Sequence, residues 1–425
     1  MQTPRLLKRE MVYGSVGFFG LDKTLNALSQ QRNPAWTLVI LLAIGHAVSD
    51  FYALLLSWLL PDFRDAFALN NTQVSWIVAV SGIFASMSQP AFGYAAEWTR
   101  RRNVYIALGT LLAGGTSLMG LASNVWAFVA VVLVGALGVG IFHPTAAAEV
   151  FEIVGPRDKI GRTLFAMTGG IGMALGPLLV MQIVACGGLR GTWVVFPPAV
   201  ILAMIYAHML PGDETTQGEP LLRWTRRGMR PKHLAVVGIL FLAVILRSTA
   251  AGGMHPLIAL RCDELGYDRI LRGHVLALIA FFAFVGGMLG GYLTGRIGSK
   301  AIMLSSCFFG GPALFASMMA GGWLSWALLS FASFSLAFAM PHFLMTAQEL
   351  MPERAGTVSG MMMGMAWSIA GLLLPIFGKI SDVRDAGVAI KVMATLTIPA
   401  GIIVLFLKGS LLDAGQQEEP INSQE

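Results

Sequence analysis

Charge is scarce in this chain. Asp, Glu, Lys and Arg supply 12% of its 425 residues, where a soluble domain carries about a quarter, and the mean hydropathy is +0.69. That excludes an ordinary water-soluble fold. Cysteine is scarce too: Cys186, Cys262 and Cys307 stand far apart, without the paired spacing of a zinc or redox site, and read as small apolar residues. No phosphate loop with a Gly-Lys-Ser/Thr ending occurs, which excludes a Walker-type pump. Neither a nucleophile–base pair nor a metal-ligand cluster is legible, so no enzymatic activity, cofactor or metal is expected. The apolar run from Met11 to Gly20 lacks a small-residue cleavage site and is interrupted by Asp22 and Lys23. Residues 1–35 read as a cytoplasmic N-terminal extension, with Met11 as an alternative start.

What fills the chain is apolar sequence. Twelve stretches of a length that crosses a bilayer as helix lie near 36–61, 73–96, 104–122, 125–147, 162–186, 193–210, 234–260, 273–295, 301–320, 323–347, 357–380 and 387–407. The fold class expected is an all-α integral membrane protein. Twenty of the 29 Lys and Arg fall on segments that face the cytoplasm if the N-terminus does, and eight fall on the opposite side. Arg247, inside a span, completes the count. This bias places both termini in the cytoplasm. The net charge of +6 then reflects topology and lipid contact, not nucleic-acid binding.

The few ionisable residues deep in apolar sequence fall on the first, fourth, seventh and tenth spans: His46 and Asp50, His143, Arg247 with His255, and His342. A charge at mid-bilayer costs about 2.5–3.5 kcal/mol on insertion scales, so it faces a partner or a hydrated cavity. A three-span spacing points to an internal polar path built from a repeated unit. The repeat is visible elsewhere. Gly93-Tyr94 and Gly291-Tyr292, like Pro177 and Pro375, are separated by one offset of 198 residues, and His143-Pro144 faces Pro341-His342 in inverted order. The chain therefore divides into an extension (1–35), a six-helix bundle (36–211), an Arg-rich cytoplasmic linker (212–233), a second bundle (234–408) and a cytoplasmic tail (409–425). Such duplication places binding sites between the repeats.

The loop from Gly93 through Glu97 to Arg100, Arg101 and Arg102 resembles the signature loop of the major facilitator superfamily, with Glu97 as its acid and Trp98 where that loop has Arg. A second copy keeps Gly291, Arg296, Gly298 and Lys300 but lacks the acid. The resemblance implies a cytoplasmic gate latched by charge pairs, with Glu149 and Glu152 as partners in the first half and Glu349 and Glu353 in the second. Further segments narrow the likeness: Gly45-His46 with Asp50, Ser88-Gln89-Pro90, Phe142-His143-Pro144, Leu175-Gly176-Pro177, Ala347-Gln348-Glu349 and Ile380-Ser381-Asp382. Together, from about residue 45 to 382, they are similar to the fosmidomycin resistance proteins of that superfamily. This implies a proton-coupled exporter of a small organic molecule, anionic or phosphonate-like, working as a monomer by rocker-switch alternating access in a bacterial inner membrane. An importer or facilitator of an organic solute, or a sensor or scaffold on the same fold, is the alternative.

Residue roles follow. His46 and Asp50, four apart, share a helix face about 6 Å from each other and about 21 Å from Trp36 along the axis, a position suited to carrying a proton. Asp50 is expected to take a proton in one state and to pair with Arg247, its counter-charge, in the other; the alternatives are a permanent bond of Asp50 to Arg247 or His46, and an Arg247 that meets substrate through bidentate bonds. His143, His342 and His255 are candidates for the substrate path; His143 and His342 can equally bond backbone carbonyls freed by their neighbouring prolines. Gly172/Gly176, Gly287/Gly291 and Gly360/Gly364 are spaced for close helix contact. Asn70-Asn71-Thr72 fits a glycosylation acceptor on an outward loop.

Overall fold

The computed structural model describes residues 18–98, 101–154, 159–210, 231–294, 296–351 and 354–407. Twelve helical segments are long and apolar enough to cross a membrane: span 1 (Trp36–Trp58), span 2 (Asn71–Ala95), span 3 (Arg102–Leu121), span 4 (Val125–Val154), span 5 (Ile160–Gly187), span 6 (Leu189–Met209), span 7 (His233–Glu264), span 8 (Arg269–Leu293), span 9 (Ser299–Ser317), span 10 (Gly322–Leu350), span 11 (Thr357–Val383) and span 12 (Ala386–Phe406). Their number and order match the sequence reading, with ends shifted by a few residues. The helix of span 1 begins earlier than expected, at Phe18, so backbone helix runs through the latter part of the extension. Most of the expected linker (to residue 230) and the expected tail lie outside the described residues.

Proline shapes the spans. Pro144, Pro177 and Pro256 are held inside continuous helices. Breaks occur instead at Ser88, at Ala339 and at Leu373, directly before Gln89-Pro90, Met340-Pro341 and Leu374-Pro375. A proline removes one backbone donor and crowds the carbonyl four residues back, and tertiary packing re-satisfies what it frees. Two π-turns, Ser306–Gly310 in span 9 and Gly360–Met365 in span 11, add further local irregularity.

Packing in lipid depends on close approach, because the acyl chains are as apolar as the helices. Gly172 shows the requirement: a Cβ there would lie 1.8 Å from the Ala47 carbonyl oxygen of span 1. Gly176 likewise lies against Trp58, but Gly287 and Gly360 have open space at their Cβ positions, so the four-residue spacing serves packing only in part. Between the halves, span 5 packs on span 8 and span 2 on span 11. The duplication recurs in space: Gly93 faces Pro144 of span 4, and Gly291 faces Pro341 of span 10. Trp126 and Trp323, near the starts of spans 4 and 10, are 79% and 77% exposed, as interfacial aromatics are.

Candidate transport site

Three of the polar residues come together. The Nε2 of His143 lies 2.9 Å from Oδ1 of Asp50, and Nε2 of His46 lies 3.6 Å from its Oδ2. The Nδ1 of His143 bonds the Val139 carbonyl at 2.9 Å, and Nδ1 of His46 bonds the Phe165 carbonyl at 2.7 Å. Carbonyl oxygen only accepts, so both Nδ1 atoms donate and both Nε2 atoms are aimed at the carboxyl. Phe165 also stacks on the His46 ring, with centroids 4.5 Å apart. Gly169 opens the space, since a Cβ there would fall 2.1 Å from Asp50 Oδ2 and 3.0 Å from His46. The Val139 carbonyl lies one residue before Gly140, whose carbonyl Pro144 frees, so the proline-carbonyl reading of His143 does not describe this bond. Ligand atoms of His46, Asp50 and His143 lie within 4.8 Å of one another, spacing a metal ion could also use. The shared hydrogen bond accounts for that proximity.

Arg247 is elsewhere. In this structure it does not pair with Asp50. Its Nη2 donates to the Leu336 carbonyl, its Nη1 reaches Ser248 Oγ at 3.4 Å and Met340 Sδ at 3.6 Å, and its guanidinium lies over the Phe343 ring. Among the described residues no carboxylate forms an ion pair with it. Asp50 turns to span 4 because His143 lies within its own half, whereas Arg247 packs into span 10.

A cavity of about 660 Å³ lies between the halves, lined from spans 1–5, 7, 8, 10 and 11. Arg247 and His255 line it; His46, Asp50, His143 and His342 do not. The Nδ1 of His255 is buried without a partner among the described residues. His342 is fully buried and lies 3.5 Å from Thr294 Oγ1 and 3.4 Å from Ser299 Oγ, flanking the second signature-like loop.

Around that loop and its first copy, charges bind within each half. Arg102, only 4% exposed, reaches Glu152 at 2.7 Å and Glu149 at 3.3 Å. Lys300 donates to the carbonyls of Leu405 and Leu407 at 2.9 and 2.5 Å, capping the end of span 12, where a cation meets the negative helix end. Arg296 covers the Tyr292 ring at 4.3 Å. Arg101 and Glu349 are each held by an interaction of their own. Glu353, Arg100 and the Glu97 side chain lie outside the described residues.

The opposite end carries a set of contacts between halves that the sequence did not disclose. Asp62, in the short helix Leu60–Ala66, binds Arg272 and Arg269, the latter at 2.7 Å. Two residues on, Arg64 binds Asp263 at 2.7 Å, an acid and a base of one half matched to a base and an acid of the other. Asp382 of span 11 accepts the backbone N–H groups of Asn71 and Thr72 at 2.7 and 3.0 Å, capping span 2 from the other half. Asn70 closes the same turn as a capping box with Gln73, so the side chain of the glycosylation-like triplet is spent on the helix cap. Burial holds against charge on Arg64, but its bonds to Asp65 and Asp263 outweigh that and its pKa rises.

The family model for the Major Facilitator Superfamily matches residues 42–375. The chain belongs to that superfamily. It is 27% identical over 378 residues to the fosmidomycin resistance protein of Escherichia coli (strain K12), covering 86% of this chain and 91% of the relative. It is 23% identical over 386 residues to an MFS-type transporter of Bacillus subtilis (strain 168), covering 88% and 92%. Among solved structures, a bacterial homologue of the human lysosomal transporter Spinster, in an inward-facing and unoccupied conformation, matches with a TM-score of 0.67 at 13% identity, over 90% of this chain and 97% of that one. That likeness shows the fold. This superfamily member is thus a multi-pass membrane transporter with twelve candidate spans in the major facilitator architecture.

Proposed function

We propose that the protein is a proton-coupled exporter of a small organic anion, moving as two six-helix bundles (36–211 and 234–408) that rock about the central cavity in a bacterial inner membrane, both termini cytoplasmic. The observation that carries the reading is the Asp50–His143 contact at 2.9 Å. With Nδ1 of His143 already donating to Val139, a hydrogen bond between Nε2 and Asp50 requires one further proton on that line. It can rest on the ring or on the carboxyl; in both forms the pair is neutral. Its departure leaves a carboxylate facing a lone pair, and span 1 and span 4 then repel where they were bonded. This is how loss of a proton becomes movement.

The end that carries Asp62, Arg64 and Asp382 is the outward one by the distribution of Lys and Arg, so the geometry described is closed to the outside. Arg247 then serves substrate, not Asp50. A proton crossing 100 mV supplies about 2.3 kcal/mol from the potential, enough to bias a rocking equilibrium roughly fiftyfold. The test begins with a tolerance screen across drugs and organic acids in a host stripped of efflux pumps. The active compound is then followed in proteoliposomes under an imposed pH gradient. Gradient-driven flux is expected from the wild type and lost from Asp50→Asn, while substrate exchange without a gradient persists. Unchanged gradient-driven flux in Asp50→Asn overturns the proposal.

A further inference from the structure

The cavity also bears on what is carried. We infer that the transported class is a monovalent organic anion with a sizeable apolar body, in preference to a compact multiply charged phosphonate; this rests on the transporter reading above. Three observations support it. The volume of about 660 Å³ falls within the range of about 300–1,000 Å³ that holds drug-sized ligands. The lining is dominated by side chains such as Met254, Phe284, Met340, Met363, Trp367 and Leu374, which offer soft and aromatic surface. Of the seven hydroxyl residues in the wall, four are already committed. The hydroxyls of Ser81, Thr249 and Ser333 donate to the carbonyls of Val78, Ile245 and Ile279, and that of Tyr52 to Val195. A phosphonate dianion brings three acceptor oxygens and two charges. It needs several free donors and more than one cation.

Arg247 is the one permanent cation among the lining residues, and it is underused. A guanidinium has five N–H donors. Here Nη2 has the Leu336 carbonyl, Nη1 has only distant contacts with Ser248 and Met340, and Nε is buried without a partner among the described residues. A cation sealed at 1% exposure, with no counter-charge among the described residues, is a costly arrangement. One carboxylate relieves it, through a side-chain shift that exchanges the Leu336 carbonyl for a bidentate pair, while the apolar body lies against Trp367 and Phe284. His255, with its free Nδ1, offers a further polar contact on the same helix.

The test is calorimetric titration of the purified full-length protein with naphthylacetate, its uncharged amide and methylphosphonate. Naphthylacetate is expected to bind roughly ten- to a hundredfold more tightly than the amide, the worth of a charge-assisted bond, and more tightly than methylphosphonate. In Arg247→Gln the acid is expected to fall to the level of the amide, with amide binding retained as the control for folding. Equal binding of acid and amide, tighter binding of methylphosphonate, or no binding of any probe overturns the inference. The wild-type series stands without the variant. Binding of naphthylacetate without its flux in proteoliposomes leaves the ligand class intact and counts against transport; gradient-driven flux of methylphosphonate alone does the reverse.

Discussion

Asp50 is the residue on which the rest turns, and its neighbours set what it can do. The 2.9 Å contact to His143 is a hydrogen bond, whereas the 3.6 Å separation from His46 is a looser electrostatic contact. Replacing His143 by Ala should therefore abolish gradient-driven flux, while His46→Ala should reduce it, and initial rates in proteoliposomes would show the order. Gly169→Ala is a sharper probe. Its methyl would fall 2.1 Å from Asp50 Oδ2, an overlap of the kind that costs about 1–3 kcal/mol, and should disrupt coupling while the protein still purifies as a monodisperse species. The pairing of His46 with Asp50 was legible because four residues of helix bring side chains together. The arrival of His143 was not, since it spans 93 residues and depends on how span 4 packs on span 1. For Arg247 the sequence left two readings, pairing with Asp50 in one state of the cycle or meeting substrate; in this geometry the two side chains do not pair, as symmetry-related positions face each other across the axis and need not touch.

Helix ends and short connections govern which face of the molecule is shut. Asp62 and Arg272 are 5% and 3% exposed at their side chains, so removing one partner strands a buried charge, a loss of about 3–5 kcal/mol for the closed arrangement. Asp382 contributes differently, by capping the positive end of span 2, worth about 0.3–1 kcal/mol and more when partly buried. Asp62→Asn should thus open the outer end far more than Asp382→Asn. Thiol labelling of single cysteines introduced near Ser57 or Ser81 from the outside would report it. The spans could be read from apolar length; which prolines break them could not, since Pro144, Pro177 and Pro256 stay inside continuous helices. This latch could not, because Asp62, Arg64, Arg272 and Asp382 look like ordinary loop charges until the halves are brought together. Lys300 makes a related point: a basic residue beside a signature-like loop suggests an acidic partner, and bare carbonyls at the end of span 12 hold it in this geometry.

For the whole molecule, the two halves share one plan and differ in what they carry. The first holds the cluster of Asp50, His143 and His46 between spans 1 and 4; the second holds Arg247 in the wall of the cavity. On the proposed function, proton and substrate meet different side chains, and coupling between them passes through the rocking of the halves, not through competition for one residue. Locking that motion should stop both fluxes together. With Thr72→Cys and Asp382→Cys, whose native side chains are bonded, on a background lacking Cys186, Cys262 and Cys307, oxidation should abolish transport and reduction should restore it. Persistent transport in the oxidised form would mean that the outer end does not open in the cycle. The central claim, that the line between Asp50 and His143 holds the coupled proton, is tested most directly by proton release. In weakly buffered detergent solution with a pH-sensitive dye, addition of saturating substrate to the purified wild type should release protons in proportion to the protein present, and Asp50→Asn should release none. Undiminished release from Asp50→Asn would contradict the account.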